Sequence, residues 1–268
     1  MKNTKIAIIG CGNMGGAILK GLIAKGVASP EAISLYDKIQ DKASALAKES
    51  ACGAGCLSDV VSGAEYVILA VKPQDSASLL DEISKLVSCQ TIISVMAGIR
   101  IGRIEEKLGP AVPVARAMPN MAAVIGESIT CVSFNGLVKE KEGVKRIFSG
   151  IGSVVEVQEE LMDAVTAVSG SGPAYLFYLA EAMINAAEDV GLDRDTALEL
   201  VVQTLFGASS ILRKTDGLSI GEMISSVASK GGTTEAALSV FEEKGLEETV
   251  ISAVRKALER SRQLSEGK

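Results

Sequence analysis

The stretch "KIAIIGCGNMGGAILKGLIAKG", residues 5–26, decides how the rest of the chain is read. It opens on an apolar, Ile-rich run of strand length that the glycines stop abruptly. From Asn13 the apolar residues return at helical spacing and end near Gly26. Gly10, Gly12 and Gly15 therefore stand in G-x-G-x-x-G spacing between a strand and a helix. In that setting the first glycine permits the tight turn. The second lets backbone approach a pyrophosphate, and the third lets helix and strand pack closely. The helix start adds unpaired N–H groups and the positive end of a dipole for phosphate oxygens. A dinucleotide site follows, with Gly10, Cys11, Gly12, Asn13, Met14 and Gly15 around the phosphates.

The next strand-like run, "AISLYD" (32–37), closes on Asp37. A carboxylate there accepts hydrogen bonds from the adenosine ribose hydroxyls and repels a 2′-phosphate, which leans the reading toward NADH. Lys38 follows at once and offers a cation for the 2′-phosphate of NADPH, so both cofactors stay open. Further on, "YVILAV" (66–71) runs into "AVKPQD" (70–75) at the carboxyl end of a buried strand, where open α/β sheets bind ligands. Ala70, Val71, Lys72 and Pro73 are expected beside the cofactor, although Lys72 reads equally well as a solvated loop charge.

More apolar runs lie at 91–96, 113–118, 128–134 and 153–157, alternating with helical patterns. Their near-continuous hydrophobicity is that of strands covered on both faces, so residues 1–159 are expected to form an α/β, doubly wound, mostly parallel Rossmann sheet. Beyond residue 160 the strand signals stop. Helices are expected at 161–169, 173–190, 194–214, 219–228, 234–244 and 247–264, with Ser219 and Glu222 spaced as a capping box. Residues 160–268 thus read as a second, all-helical domain.

Composition narrows the function. A net charge of −6 excludes a phosphate-backbone binder, so no nucleic acid partner is expected. No apolar run reaches the ~20 residues that span a bilayer, and nothing at the start resembles a secretory signal, so a cytoplasmic protein without a membrane anchor is expected. The chain has no histidine, and its five cysteines form no CxxC pair. A zinc site and a Ser-His or Cys-His nucleophile are therefore not expected, and the thiols are expected reduced and mostly buried.

Taken in order, "IGCGNMGGAI" (9–18), "AVKP" (70–73), "RAMPN" (116–120), "SGSGPAY" (169–175) and "SKGGTTEAAL" (229–238) resemble delta-1-pyrroline-5-carboxylate reductase. The resemblance implies NAD(P)H-dependent reduction of a small-molecule cyclic imine, 1-pyrroline-5-carboxylate, to L-proline, the last step of proline biosynthesis. It implies a C-terminal dimerisation domain, a homodimer that commonly assembles further into a decamer, and an active site where domains of neighbouring subunits meet. It places Pro119 and Asn120 on the cofactor side, while Arg116 also reads as a surface charge. "SGSGPAY" is ordinary helix-start grammar that would also let a ring or a neighbouring subunit approach.

The stretch "SKGGTT" carries the substrate expectation. Gly231, Gly232, Thr233 and Thr234 stand at a predicted helix start, where free N–H groups hold an anion such as the substrate carboxylate, with the Ser229 hydroxyl beside them. By resemblance, the Thr234 hydroxyl bonds the substrate's ring nitrogen. The same residues also make an ordinary helix cap. One departure stands out: Lys230 occupies a position where the family usually has proline. Two other readings compete, a β-hydroxyacid dehydrogenase and a non-catalytic nucleotide sensor. The first lacks its helical-domain lysine motif, and the second would not need the Gly-Gly-Thr-Thr loop.

Overall fold

In the computed structural model the chain is described over residues 4–215 and 217–266. The apolar runs become strands β1 (Ile6–Ile9), β2 (Ile33–Tyr36), β3 (Gly53–Ala54), β4 (Tyr66–Leu69), β5 (Thr91–Ser94), β6 (Val114–Met118), β7 (Ser128–Phe134) and β8 (Gly152–Glu156). They form one sheet in the order β3-β2-β1-β4-β5-β6-β7-β8. The six strands from β3 to β6 pair in parallel, with β1 central between β2 and β4. Strand β7 then reverses against β6. The link between them holds only a 3-10 turn, Met121–Ile125, and a parallel return needs a crossover of about a dozen residues or more.

Helices α1 (Asn13–Ala24), α2 (Gln40–Ser50), α3 (Leu57–Ser62), α4 (Ser76–Ile83), α5 (Ile101–Leu108) and α6 (Lys141–Ser149) join the strands. Two apolar layers flank the sheet, and β1 feeds both: Ile6 and Ile8 pack with Leu19, Leu22 and Phe148, while Ala7 and Ile9 pack with Leu80, Ile83 and Ile104. Burial on both faces is why this strand reads as an unbroken apolar run. Strand β3 has no such signal, being two exposed residues.

Helices α7 (Met162–Val165), α8 (Gly172–Asp189), α9 (Arg194–Lys214), α10 (Ile220–Val227), α11 (Thr233–Glu243) and α12 (Leu246–Ser265) complete the chain. The capping box at α10 is present: the Glu222 amide donates to Ser219 Oγ at 3.2 Å, and the Ser219 amide donates to Glu222 Oε2 at 2.7 Å. The helix expected over 161–169 is instead interrupted by a π-turn at Thr166–Gly170, closed by Ser171 N–H donating to the Thr166 carbonyl at 2.9 Å. The Thr166 and Ser169 hydroxyls donate to carbonyls four residues back, a competition that bends helices.

The chain forms two compact units, one of residues up to Ser171 plus the last turns of α12 from Ala257, the other of Gly172–Lys256. Within the second unit, among the described residues, the buried apolar cluster is only Ile184, Ala197 and Val201. Tyr178 is 81% exposed and Phe206 65%. Large apolar side chains left open on that scale mark an interaction surface.

Two expectations need correction. Arg116 is no surface charge: it is 3% exposed, and its guanidinium lies 3.3 Å from Glu159 Oε1. Its strand position is interior, and the partner arrives from distant sequence. The five thiols are free, but Cys56 and Cys89 are exposed and Cys131 alone is buried. Both exposed thiols sit in polar surface turns, Cys56 as the cap of α3 with its sulfur 3.0 Å from Ser58 Oγ.

Candidate active site

The three glycines of the β1–α1 turn do different work. Gly10 has φ +104°, and a Cβ there would lie 2.6 Å from the Ala70 carbonyl oxygen. A Cβ on Gly15 would lie 1.9 Å from the Gly10 carbonyl oxygen. The fold itself therefore requires both to be glycine. At Gly12 a Cβ would meet nothing within 4 Å, and the backbone there is extended at φ −80°. The fold makes no demand on Gly12, and the open space over it is what a phosphate approaching backbone needs. Gly12 also caps α1 without any side-chain cap, so the helix start keeps its amides for an outside acceptor.

That space belongs to a cleft of about 480 Å³ at the carboxyl ends of the central strands. Gly10, Gly12, Asn13 and Met14 line its phosphate side; Asp37 and Lys38 line the end reached by β2; Ala70, Val71 and Lys72 line the β4 edge. Five expected residues stand outside the lining, Pro119 beside Asn120 among them. Gly15 is packed beneath the turn, and Pro73 opens the 3-10 turn Pro73–Asp75. Cys11 is tied to Asp37, its N–H donating to Oδ2 at 2.8 Å. Burial first, then the charge of Asp37, pushes the Cys11 thiol up to about 12, so it stays neutral. Asn120 caps its own turn, Oδ1 accepting from the Ala122 N–H at 3.2 Å.

At the β2 end, Asp37 is held rigidly, for its Oδ1 also accepts from the Ile39 N–H at 2.9 Å. Lys38 is not a free cation: its Nζ lies 2.7 Å from Asp75 Oδ1, and that bond raises its pKa. Asp75 and Lys42 line the cleft too, and sequence reasoning singled out neither. Lys42 had a local signal, lying in the first turn of α2 close behind Asp37.

The second group of expected residues lies in the helical unit. Ser229, Lys230, Gly231 and Gly232 form a β-turn in which the Gly232 N–H donates to the Ser229 carbonyl at 2.9 Å, with Gly231 at φ +73°. That is the type II pattern, glycine at its third position. The Gly231 N–H donates to Glu235 Oε2 at 2.6 Å. Two amides expected to be free are thus used internally, because the turn and the fifth residue after Lys230 reach them first. Helix α11 begins at Thr233 with Gly232 as an uncapped N-cap, so the Thr233 and Thr234 amides stand open at its first turn. Thr234 is half-buried there.

Residues 159–264 match the family model described as pyrroline-5-carboxylate reductase dimerisation, and residues 5–98 match one described as NADP oxidoreductase, coenzyme F420-dependent. The chain is 37% identical to the pyrroline-5-carboxylate reductase of Methanosarcina acetivorans, over 98% of this chain and 99% of that protein. The chain belongs to the pyrroline-5-carboxylate reductase family. The Escherichia coli pyrroline-5-carboxylate reductase is likewise 37% identical, over 97% of this chain and 98% of its own length. The structure of a pyrroline-5-carboxylate reductase from Coxiella burnetii superposes with a TM-score of 0.93 at 33% identity, covering 98% of each chain. The Plasmodium falciparum pyrroline carboxylate reductase, solved with NADP bound, gives 0.88 at 29% identity and 99% of each chain.

As a member of the pyrroline-5-carboxylate reductase family, the chain is an NAD(P)-dependent oxidoreductase with a Rossmann domain followed by a helical dimerisation domain. The exposed apolar side chains of that helical half, Tyr178 and Phe206 among them, lie within the segment that matches the dimerisation model. Among the described residues no helix is long and apolar enough to cross a membrane.

Proposed function

We infer that this chain reduces 1-pyrroline-5-carboxylate to L-proline with NADH or NADPH, the last step of proline biosynthesis. The observation that carries the reading is full-length likeness to pyrroline-5-carboxylate reductases joined to a cleft whose Gly12 and uncapped α1 start fit a pyrophosphate. Residues 1–159 would hold the dinucleotide, and 160–268 would bind substrate and form the dimer, consistent with the family match beginning at 159. A homodimer is the basic assembly and a decamer the further one. The protein works in the cytoplasm.

In this reading Gly12, Asn13 and Met14 present the pyrophosphate to the α1 amides, Asp37 receives the adenosine ribose, and Ala70 to Lys72 flank the β4 edge. When bound, the reduced nicotinamide supplies the hydride. The residues of α11 do the rest. The open Thr233 and Thr234 amides and the Ser229 hydroxyl take the substrate carboxylate, while the Ser229–Gly232 turn gives the loop its shape. The Thr234 hydroxyl bonds the ring nitrogen and orients it. A threonine hydroxyl is a poor proton donor at neutral pH, so its contribution is position and polarisation. A protonated imine brings its own proton, and a chain without histidine loses nothing by that.

The test is turnover of purified protein with 1-pyrroline-5-carboxylate and each reduced cofactor, followed by loss of nicotinamide absorbance. Thr234→Ala should lower kcat about a hundredfold, the ~3 kcal/mol worth of one catalytic hydrogen bond, with cofactor affinity unchanged. An undiminished rate overturns the role of Thr234. Activity confined to hydroxyacids, or binding without turnover, overturns the function.

A further inference from the structure

The cleft to which β2 delivers Asp37 is lined by six charged side chains, Asp37, Lys38, Lys42, Lys72, Asp75 and Glu82. Asp37 is balanced by the two amides of Cys11 and Ile39. Lys38 is balanced by Asp75, which reaches it from the turn after β4. This is the end of the cleft where an α/β dinucleotide site reads the adenosine ribose, a 2′-hydroxyl in NADH and a 2′-phosphate in NADPH. The two cofactors differ only in that group, so the neighbouring charges decide between them.

We propose that Asp75 is a cofactor-specificity residue: by holding Lys38 it weakens binding of the 2′-phosphate cofactor relative to NADH. The proposal rests on the cleft being the dinucleotide site. A phosphate monoester carries about −1.5 to −2 charges near neutral pH and seeks a cation. Lys38 directly follows Asp37, with Lys42 further along the lining, and engaging Lys38 places the phosphate beside the Asp75 carboxylate, a like charge. A ribose hydroxyl meets no such repulsion and can donate to Asp37. The Lys38 and Asp75 side chains are 68% and 34% exposed, so the pair is solvated and can be parted, and the discrimination is graded.

The experiment measures dissociation constants of NADH and NADPH by nicotinamide fluorescence at low ionic strength. The proteins are the wild type, Asp75→Asn, Asp75→Ser, Lys38→Met, the Asp75→Asn/Lys38→Met double variant and Gly12→Val. Thermal melts of each verify folding. Asp75→Asn should tighten NADPH roughly three- to fivefold, the size of one solvated charge interaction, and leave NADH within about twofold. The gain should shrink at high salt and vanish in the double variant. Asp75→Ser should repeat it if the amide variant misfolds. An unchanged NADPH-to-NADH ratio in both Asp75 variants overturns the proposal, as does a gain that survives loss of Lys38. If Gly12→Val leaves both affinities untouched, the reading of the cleft fails instead.

Discussion

The carboxylate of Asp163 in α7 accepts a hydrogen bond from Ser261 Oγ in α12 at 2.8 Å, across 98 residues of sequence. Ser265, one turn on, donates to the same oxygen at 2.8 Å, and Arg100 Nη2 lies 3.4 Å from the other. Asp163 is 6% exposed, so this carboxylate pins the end of α12 inside the first unit. Burial acts most strongly on its pKa and raises it. The Ser265 and Ser261 hydroxyls, with Arg116 and Arg100, outweigh burial and hold the group below its ordinary 3.8.

A depressed carboxylate stabilises the fold above its unfolded value, and that stability is lost as pH falls through the folded one. The contribution is therefore complete above pH 3.8 and lost below it. Asp163→Asn should cost about 2 kcal/mol at neutral pH, because charged hydrogen bonds are given up in a buried place. Thermal melts followed by circular dichroism should show Tm lowered by several degrees at pH 7. The gap from wild type should narrow as the pH drops below 3.8.

How much of this was legible depends on how far each cause lies along the chain. The β1–α1 turn was readable because strand period, glycine spacing and helix period change within 22 residues of adjacent sequence (5–26). The burial of Arg116 was not, since Glu159, 43 positions away, is what lets a guanidinium sit in the interior. Strand direction is absent from hydrophobic period altogether, so the reversal at β7 shows only once the short link before it is known to carry no crossover. At the loop before α11 the glycine turn and helix start were legible, but not that Glu235 takes the Gly231 amide. Likewise "AVKPQD" was found without the pairing of its last residue to Lys38, which needs the third dimension.

The glycines of the first turn should separate when substituted. Gly15→Ala sets a Cβ 1.9 Å from a backbone oxygen, which the turn must move to accommodate, at about 3 kcal/mol. A Cβ at Gly12 meets open space, so Gly12→Val should melt close to wild type, yet it should weaken NADH at least roughly tenfold by blocking the backbone approach. Calorimetric melting and cofactor titration on the same two proteins check both halves. A Gly12→Val protein that binds normally would contradict the cleft assignment.

Phe206 in α9 is 65% exposed in the single chain, although aromatic side chains bury the largest apolar areas available to a protein. Phe206→Asp should leave the Rossmann unit folded and shift the protein toward smaller species in light scattering. Burying an unpaired carboxylate at an interface costs several kcal/mol. A variant with unchanged mass would place Phe206 outside the interface.

The loop before α11 offers a test of the unusual lysine. Lys230 is the second residue of the Ser229–Gly232 turn, and a type II turn favours proline there, followed by glycine with positive φ. Lys230→Pro therefore suits the backbone already present and should stabilise the loop by about 0.4–1 kcal/mol, by restricting the unfolded chain. Glu235 acts in the other direction: its carboxylate occupies the Gly231 amide and places a negative charge beside the proposed carboxylate site. Glu235→Gln should lower KM for 1-pyrroline-5-carboxylate severalfold with kcat little changed, since an exposed like charge acts on binding at about 1 kcal/mol or less. Steady-state kinetics at fixed saturating cofactor separate the two effects. A Glu235→Gln protein with higher KM would mean that Glu235 shapes the loop for the substrate rather than competing with it.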